Sequence, residues 1–423
     1  MSTTAFRRRT MFVAFAALGC LAADWNRFRG PDASGVAADQ PVPAVWSATE
    51  NLVWKTALPG FGTSSPITVG DKVFVTCYSG YGLDEDSPGN VEDLQYHLVC
   101  LDRASGKILW DKTSKALLPE NEYRGFVAVH GFASATPASD GQAVYAFFGH
   151  SGVVAYDLAG KQLWTAEVGD KLYQWGTAAS PILFKNLLIV NASVESGSLV
   201  ALDKATGREV WRASGILRSW GTPLLVEVPN GKPELVVSIE GKILGFDPEN
   251  GSPLWESAGV PDYICPSVIA HNGVVYVTAG RKTLTVAIRA GGRGNVTETH
   301  RLWYSGKGSK VGTPVYYEGY LYWLSHQGIA VCLKADSGQT VYEERLKVSG
   351  KGDKVYASFV VADGKLYGVT RQDGIVVLSA SPEFKELGRN RLDDASVFNA
   401  TPAVSNGQLL VRSDRFLYCI GNK

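Results

Sequence analysis

Methionine is nearly missing from this 423-residue chain: there are two, Met1 and Met11, both at its very start. Net charge is missing too, with 41 Lys+Arg against 41 Asp+Glu. That balance excludes a protein that finds nucleic acid or an anionic membrane by bulk electrostatics. The six cysteines include no C-x-x-C and no adjacent pair, so zinc and thioredoxin-like redox chemistry have no support. His97, His130, His150, His271, His300 and His326 show no H-E-x-x-H and no paired ligand spacing, and no acid–base pair stands out. Gly149-His150-Ser151-Gly152 is one residue short of G-x-S-x-G and falls between two expected strands. The Gly291–Gly294 cluster is followed by no helical pattern, which argues against phosphate cradling. Long apolar runs are confined to Met11–Ala23, too short to span a bilayer comfortably.

What that leading segment does have is an address. Arg7, Arg8 and Arg9 precede the apolar run, Ala22 and Ala23 close it, and no acid comes before Asp24. Residues 1–23 read as a secretory signal peptide, and the protein is expected to be exported to the periplasm or attached to the outer membrane. Ala17-Leu18-Gly19-Cys20 resembles a bacterial lipobox with Ala in its first position, which makes Cys20 a candidate for lipidation. Without the leader arginines the chain carries 38 basic against 41 acidic residues and is mildly acidic. Five cysteines remain, Cys77, Cys100, Cys265, Cys332 and Cys419. An odd count at wide spacing is no disulfide framework. Cys77 and Cys100 fall on neighbouring expected strands, which leaves a bridge between them open.

Glycine and tryptophan, at 46 and 11, are plentiful, and a repeat explains both. Leu98–Trp110 (LVCLDRASGKILW), Val153–Trp164 (VVAYDLAGKQLW), Leu199–Trp211 (LVALDKATGREVW) and Ile243–Trp255 (ILGFDPENGSPLW) share one plan. Each is an alternating strand, a turn opened by Asp and closed by Gly, and a second strand ending in Trp. The carboxylate is expected to accept from backbone N–H groups two residues on, and Gly supplies the positive φ. Weaker copies lie at Val331–Tyr342 and Phe416–Ile420. Cys100, Cys332 and Cys419 occupy one repeat position and read as small core residues. Ahead of each hairpin stands an anchor followed by two further strands: Pro66, Pro137, Pro181, Pro223, Ser267, Pro314, Phe359 and Pro402.

Eight anchors, about 44 residues apart after a first interval lengthened by an insertion, each heading four short strands, predict an all-β fold: a single eight-bladed β-propeller. The last unit ends one strand short, while Asn51–Thr56 supplies a spare strand with Trp54 ahead of the first anchor. The N-terminal strand is therefore expected to complete the eighth blade and close the ring, which removes its free edge. Residues 24–50 form an extended arm expected to run along the outside, and residues 51–423 form the propeller. The first unit carries an acidic insertion, residues 78–97, with Asp84, Glu85, Asp86, Glu92 and Asp93 and no Lys or Arg. It reads as a solvated loop, since its calcium-loop match fails at Pro88 and Gln95.

This pattern resembles the tryptophan-docking repeat of the pyrroloquinoline-quinone (PQQ)-like propeller family. That family takes in quinoprotein alcohol dehydrogenases and the BamB-like accessories of outer-membrane protein assembly. The opening Trp25-Asn26-Arg27-Phe28-Arg29-Gly30-Pro31 also resembles the start of PQQ-like propellers from planctomycete-type bacteria. The resemblance covers residues 51–423 and implies the fold strongly and an activity weakly. A PQQ enzyme of this family implies an adjacent Cys pair, a stacking Trp and Glu/Asn/Asp ligands for calcium. Trp175 can stand for the Trp, but no Cys-Cys exists and no ligand trio matches. PQQ with calcium is therefore the minor alternative, and no resident cofactor or metal is expected.

Two sets of aromatics remain to be placed. Trp54, Trp110, Trp164, Trp211, Trp255 and Trp303 recur on outer strands and are expected to pack between blades. His130, Trp175, Trp220, Tyr263 and Tyr356 precede inner strands, where propeller loops surround one mouth of the channel, with Arg218 beside Trp220 as a cationic partner for a carboxylate. Such a funnel suits a planar ligand or a peptide, although the same residues could simply fill the axis. The leading expectation is a monomeric, non-catalytic interaction scaffold whose partners are envelope proteins, including the outer-membrane assembly machinery. A PQQ-dependent dehydrogenase and a sugar- or peptide-binding module are the alternatives.

Overall fold

The computed structural model describes residues 24–422 apart from Ala38, Lys282 and Lys351. The expected leader and Cys20 lie outside the described residues. Eight antiparallel sheets follow one another in chain order, each with four core strands running from the axis outward. The first blade pairs Ile67–Val69, Lys72–Ser79, Gln95–Asp102 and Ile108–Lys115. The eighth is completed by Leu52–Ala57, which pairs antiparallel with the C-terminal strand Phe416–Ile420 in the register Trp54↔Cys419. One polypeptide end thus covers the edge left by the other, and the ring closes as the strand count requires. Among the described residues no helix is long and apolar enough to cross a membrane, which says nothing of strands.

The repeat turn has a local cause. Asp102 Oδ1 accepts from the N–H and hydroxyl of Ser105, and Asp203 Oδ1 does the same from Thr206. In the D-x-x-[ST]-G version the carboxylate is held most strongly by the residue three on, with the N–H two on, Ala104 or Ala205, also acting on it, whereas Asp157 and Asp247 bond the N–H two on. The closing glycine answers to a neighbouring blade as well as to its own φ. Gly207 has φ +74°, and a Cβ there would lie 2.6 Å from the ring of Trp164 in the preceding blade. That indole donates to Lys204 O at 3.0 Å. Trp54, Trp110, Trp211 and Trp303 donate in the same way to the turns at Arg103, Leu158, Pro248 and Ala335. Trp255 departs from the pattern and donates to the buried carboxylate of Glu234 at 2.7 Å.

Three expectations need correction. A single helical turn, Thr297–His300, does follow the Gly291–Gly294 cluster, and Gly294–Asn295 adds in parallel to the outer strand of the fourth blade. Cys77 stands opposite His97 and Cys100 opposite Phe74, in separate core clusters, and all five described cysteines are free. The largest difference concerns the arm, which does not run along the outside. Trp25 pairs with Thr68 and Asn26 with Ser139, on the inner strands of the first two blades. Arg29 reaches Thr313, Pro314 and Phe359 in the sixth and seventh blades. Val36–Ala37 then adds in parallel to the inner strand Val360–Ala362. Trp46 stacks on Tyr367 with ring centroids 6.3 Å apart before the chain becomes the closing strand. The arm crosses the axis and leaves along the seam between blades seven and eight.

Candidate functional site

The inner strands are held to one another by a ring of side chains at their N-terminal ends. Ser65 N–H donates to Thr136 Oγ1, Thr136 N–H to Ser180 Oγ, and Ser180 N–H to Thr222 Oγ1. The chain of contacts continues through Ser267, Thr313 and Ser358 to Thr401, each link 2.9–3.0 Å long. These residues immediately precede the anchors seen in the sequence. In the fifth blade the ring residue is Ser267 itself, which moves that anchor to Val268. A Ser or Thr before each anchor was the available signal, but a hydroxyl beside a proline reads first as a turn residue. Only the closed ring shows it bridging blades.

This ring surrounds an axial cavity of about 170 Å³ whose floor includes Phe28 from the crossing arm. Beneath it Arg29, 1% exposed, donates to five backbone carbonyls, those of Ala33, Ser34, Thr313, Pro314 and Phe359, at 2.8–3.4 Å. Loss of hydration lowers its guanidinium to about 9. One wall of the cavity is aromatic. Trp175 lies 4.9 Å from Trp220, 4.7 Å from Tyr263 and 5.0 Å from Phe126, centroid to centroid. The Trp220 indole donates to Gly176 O at 2.8 Å, which fixes the loop carrying Trp175.

The opposite wall is polar. Lys310 pairs with Asp353 at 2.6 Å, Tyr356 donates to the same carboxylate at 3.2 Å, and Arg371 lies over the Tyr356 ring at 5.3 Å. Burial pushes the Asp353 carboxyl up, but the hydrogen bond and charge of Lys310, with His326, outweigh it and leave it below the usual range. His130 holds Ser134 at 2.6 Å and Trp175 O at 2.7 Å, and burial lowers its imidazole. With both ring nitrogens engaged, His130 positions the helical turn Phe126–His130 over the mouth.

The structure therefore brings His130, Trp175, Trp220, Tyr263 and Tyr356 to one cavity. Arg218 is a correction: it is exposed, sits at φ +51° and pairs outside the cavity with Glu240 at 3.0 Å. Its left-handed backbone separates it from Trp220, two residues on. The lysine on the cavity wall is Lys310, which nothing in the repeat singles out.

Behind the Trp175 loop lies a smaller cavity of about 20 Å³, room for one water. Glu195, 1% exposed, lines it, hydrogen-bonded to Thr177 through Oε1 and without a protein partner at Oε2. Burial, reinforced by Glu120, raises its carboxyl to about 7 against an ordinary 4.5. An acid with a raised folded pKa stabilises fully below the unfolded value and loses that contribution as pH climbs to the folded one. Relative to Glu195→Gln, the wild-type protein is expected to lose about 3 kcal/mol between roughly pH 4.5 and 7, with no further change above. Urea unfolding of both proteins at pH 5 and pH 8 measures it; parallel curves would rule the titration out.

The family model for outer membrane protein assembly factor BamB matches residues 35–172, 95–342 and 195–420. No curated protein matches. BamB from Moraxella catarrhalis is similar in structure, with TM-score 0.60 and 13% identity over 88% of this chain and 97% of that one. A europium-containing methanol dehydrogenase aligns with TM-score 0.59 and 13% identity over 92% and 89%. The computationally designed Ika8 protein aligns with TM-score 0.57 and 12% identity over 86% and 98%.

The dehydrogenase raises the question of whether a quinone and its cation would fit. A hard cation takes six to eight oxygen ligands. Among the described residues no group of three or more His, Cys, Asp or Glu is arranged to hold a metal. No carboxylate lines the axial cavity, and the nearby Asp353 is committed to Lys310 and Tyr356. The donor set does not fit PQQ with calcium.

Proposed function

Because the chain belongs to the family of outer membrane protein assembly factor BamB, a family of PQQ-repeat propellers, we propose that it is an exported, non-catalytic docking scaffold of the cell envelope. It takes polypeptide partners at the mouth of the axial funnel. The family is envelope-associated, which supports the compartment. The observation that carries the reading is the funnel itself: an aromatic mouth above a floor blocked by the protein's own arm. Such a mouth can grip apolar side chains.

A photo-cross-linking residue at Phe126, 37% exposed on the rim, is expected to capture envelope polypeptides in cells. The same residue at the outer-strand position Val210 is expected not to. Equal capture at both sites would overturn the assignment of the mouth. Stoichiometric PQQ binding with dye-linked alcohol oxidation, measured on purified protein with PQQ and Ca²⁺, would overturn the non-catalytic reading.

A further inference from the structure

We propose that Ser79 is an activated nucleophile, a site that takes one acyl group from a reactive carboxylic ester, with His97 as its base and Asp111 orienting that base. None of the three lines the axial cavity, and this chemistry does not depend on the scaffold reading. The three residues stand on successive strands of the first blade, Lys72–Ser79, Gln95–Asp102 and Ile108–Lys115. Pairing sets Ser79 opposite Gln95, His97 opposite Thr113 and Val99 opposite Asp111. The alternation of a strand then puts Ser79, His97 and Asp111 on one face of the sheet. Ser79 Oγ lies 2.7 Å from His97 Nε2, and His97 Nδ1 lies 3.0 Å from each oxygen of Asp111.

The order of these contacts decides what they can do. An ionised carboxylate only accepts, so Nδ1 carries the ring proton and Nε2 is left bare. The Ser79 hydroxyl then donates to Nε2, the arrangement in which an imidazole takes that proton as the oxygen attacks. His97 is 5% exposed and so held in place, whereas Gln95, Asp111 and Thr113 on the same face are exposed. Ser79 itself is half-buried at the end of its strand, next to exposed Gly80, which leaves the hydroxyl within reach of a small ester from solvent. In the step, Ser79 Oγ bonds to the carbonyl carbon and the C–O bond of the ester breaks. The hydroxyl proton passes to His97 Nε2 and from there to the departing oxygen, while Asp111 keeps hold of the Nδ1 proton. Rapid turnover also needs donors aimed at the oxyanion. The N–H groups of Tyr78 and Phe61 beside Ser79 are spent on one another's carbonyls. An ester with a good leaving group can acylate without that help, but the serine ester it forms has a poorer one and persists.

Full-length protein mixed with 4-nitrophenyl acetate is expected to release a single equivalent of 4-nitrophenolate in a burst. Peptide mass spectrometry should place the acetyl group on Ser79, a result read on the wild-type protein without any variant. Ser79→Ala should remove the burst. His97→Gln and Asp111→Asn should slow it by about a hundredfold or more, the scale of lost general-base catalysis. Asp111→Glu restores a carboxylate and should recover part of that loss, which a merely structural contact would not bring about. Unfolding midpoints of the variants separate lost chemistry from lost fold. Acetyl groups found on lysines but not on Ser79 overturn the proposal, as does labelling of Ser79 at an undiminished rate in folded His97→Gln. Sustained release that requires Ser79 overturns the single-acylation form, and the non-catalytic reading of the protein with it. Envelope capture at Phe126 reads the funnel separately, so docking at the mouth can fail or hold without this site.

Discussion

Replacing Arg29 by methionine is expected to cost the folded protein about 3–5 kcal/mol, the scale on which buried, fully hydrogen-bonded charges fail when one partner is removed. The side chain is 1% exposed and satisfies five carbonyls drawn from its own arm and from the sixth and seventh blades. Methionine matches its apolar stem and offers no donor, and each buried carbonyl left unpaired costs about 1–3 kcal/mol before relaxation. Arg29→Lys keeps the charge and loses the planar fork, so it should fall between the two. The exposed pair Arg124–Glu122 is the matched control, and Arg124→Ala should change stability by less than about 1 kcal/mol. Urea unfolding read by tryptophan fluorescence measures all three. An Arg29→Met protein as stable as Arg124→Ala would mean that the arm does not hold the axis.

Removing the closure has a still larger expected effect. A chain beginning at Leu58 lacks the arm and the strand Leu52–Ala57. The edge of Phe416–Ile420 is then left unpaired, and the contact of Trp54 with the first blade is gone. An open hydrophobic strand edge is a template for pairing with other chains. The shortened chain is expected to run as aggregates or as an expanded species by size exclusion with light scattering. Adding residues 24–57 as a separate peptide is expected to restore a compact 1:1 complex, since that peptide carries the removed contacts with the first, second, sixth, seventh and eighth blades. A compact monomer without that peptide, unfolding at the wild-type midpoint, would show that the seven complete blades and three strands suffice.

The two experiments probe parts of the chain that were unequally visible in the sequence. The closing strand could be counted, because the last repeat ends one strand short and Trp54 matches the seam tryptophans. The path of Trp25–Ala37 could not. Its contacts join residues as far apart as 284 and 330 positions, and each is made once, so no period reports them. The funnel aromatics were legible as a set from their place before the inner strands. Arg218 was placed wrongly for a backbone reason: a non-glycine residue in the left-handed region turned its side chain away from the neighbours that sequence proximity suggested.

By itself the sequence determined the number of blades, the strand that closes the ring and the turn chemistry of each seam. The blades and their turns rest on local contacts that recur at a fixed separation and so leave a periodic trace, and the closing strand follows from the count of those units. Only the tertiary structure decided that the arm crosses the axis, that Arg29 lies buried among five backbone carbonyls, and that the hydroxyls before the anchors link neighbouring blades in one ring. Those features arise from convergence at the centre of a closed ring, where residues from every blade meet whatever their distance along the chain.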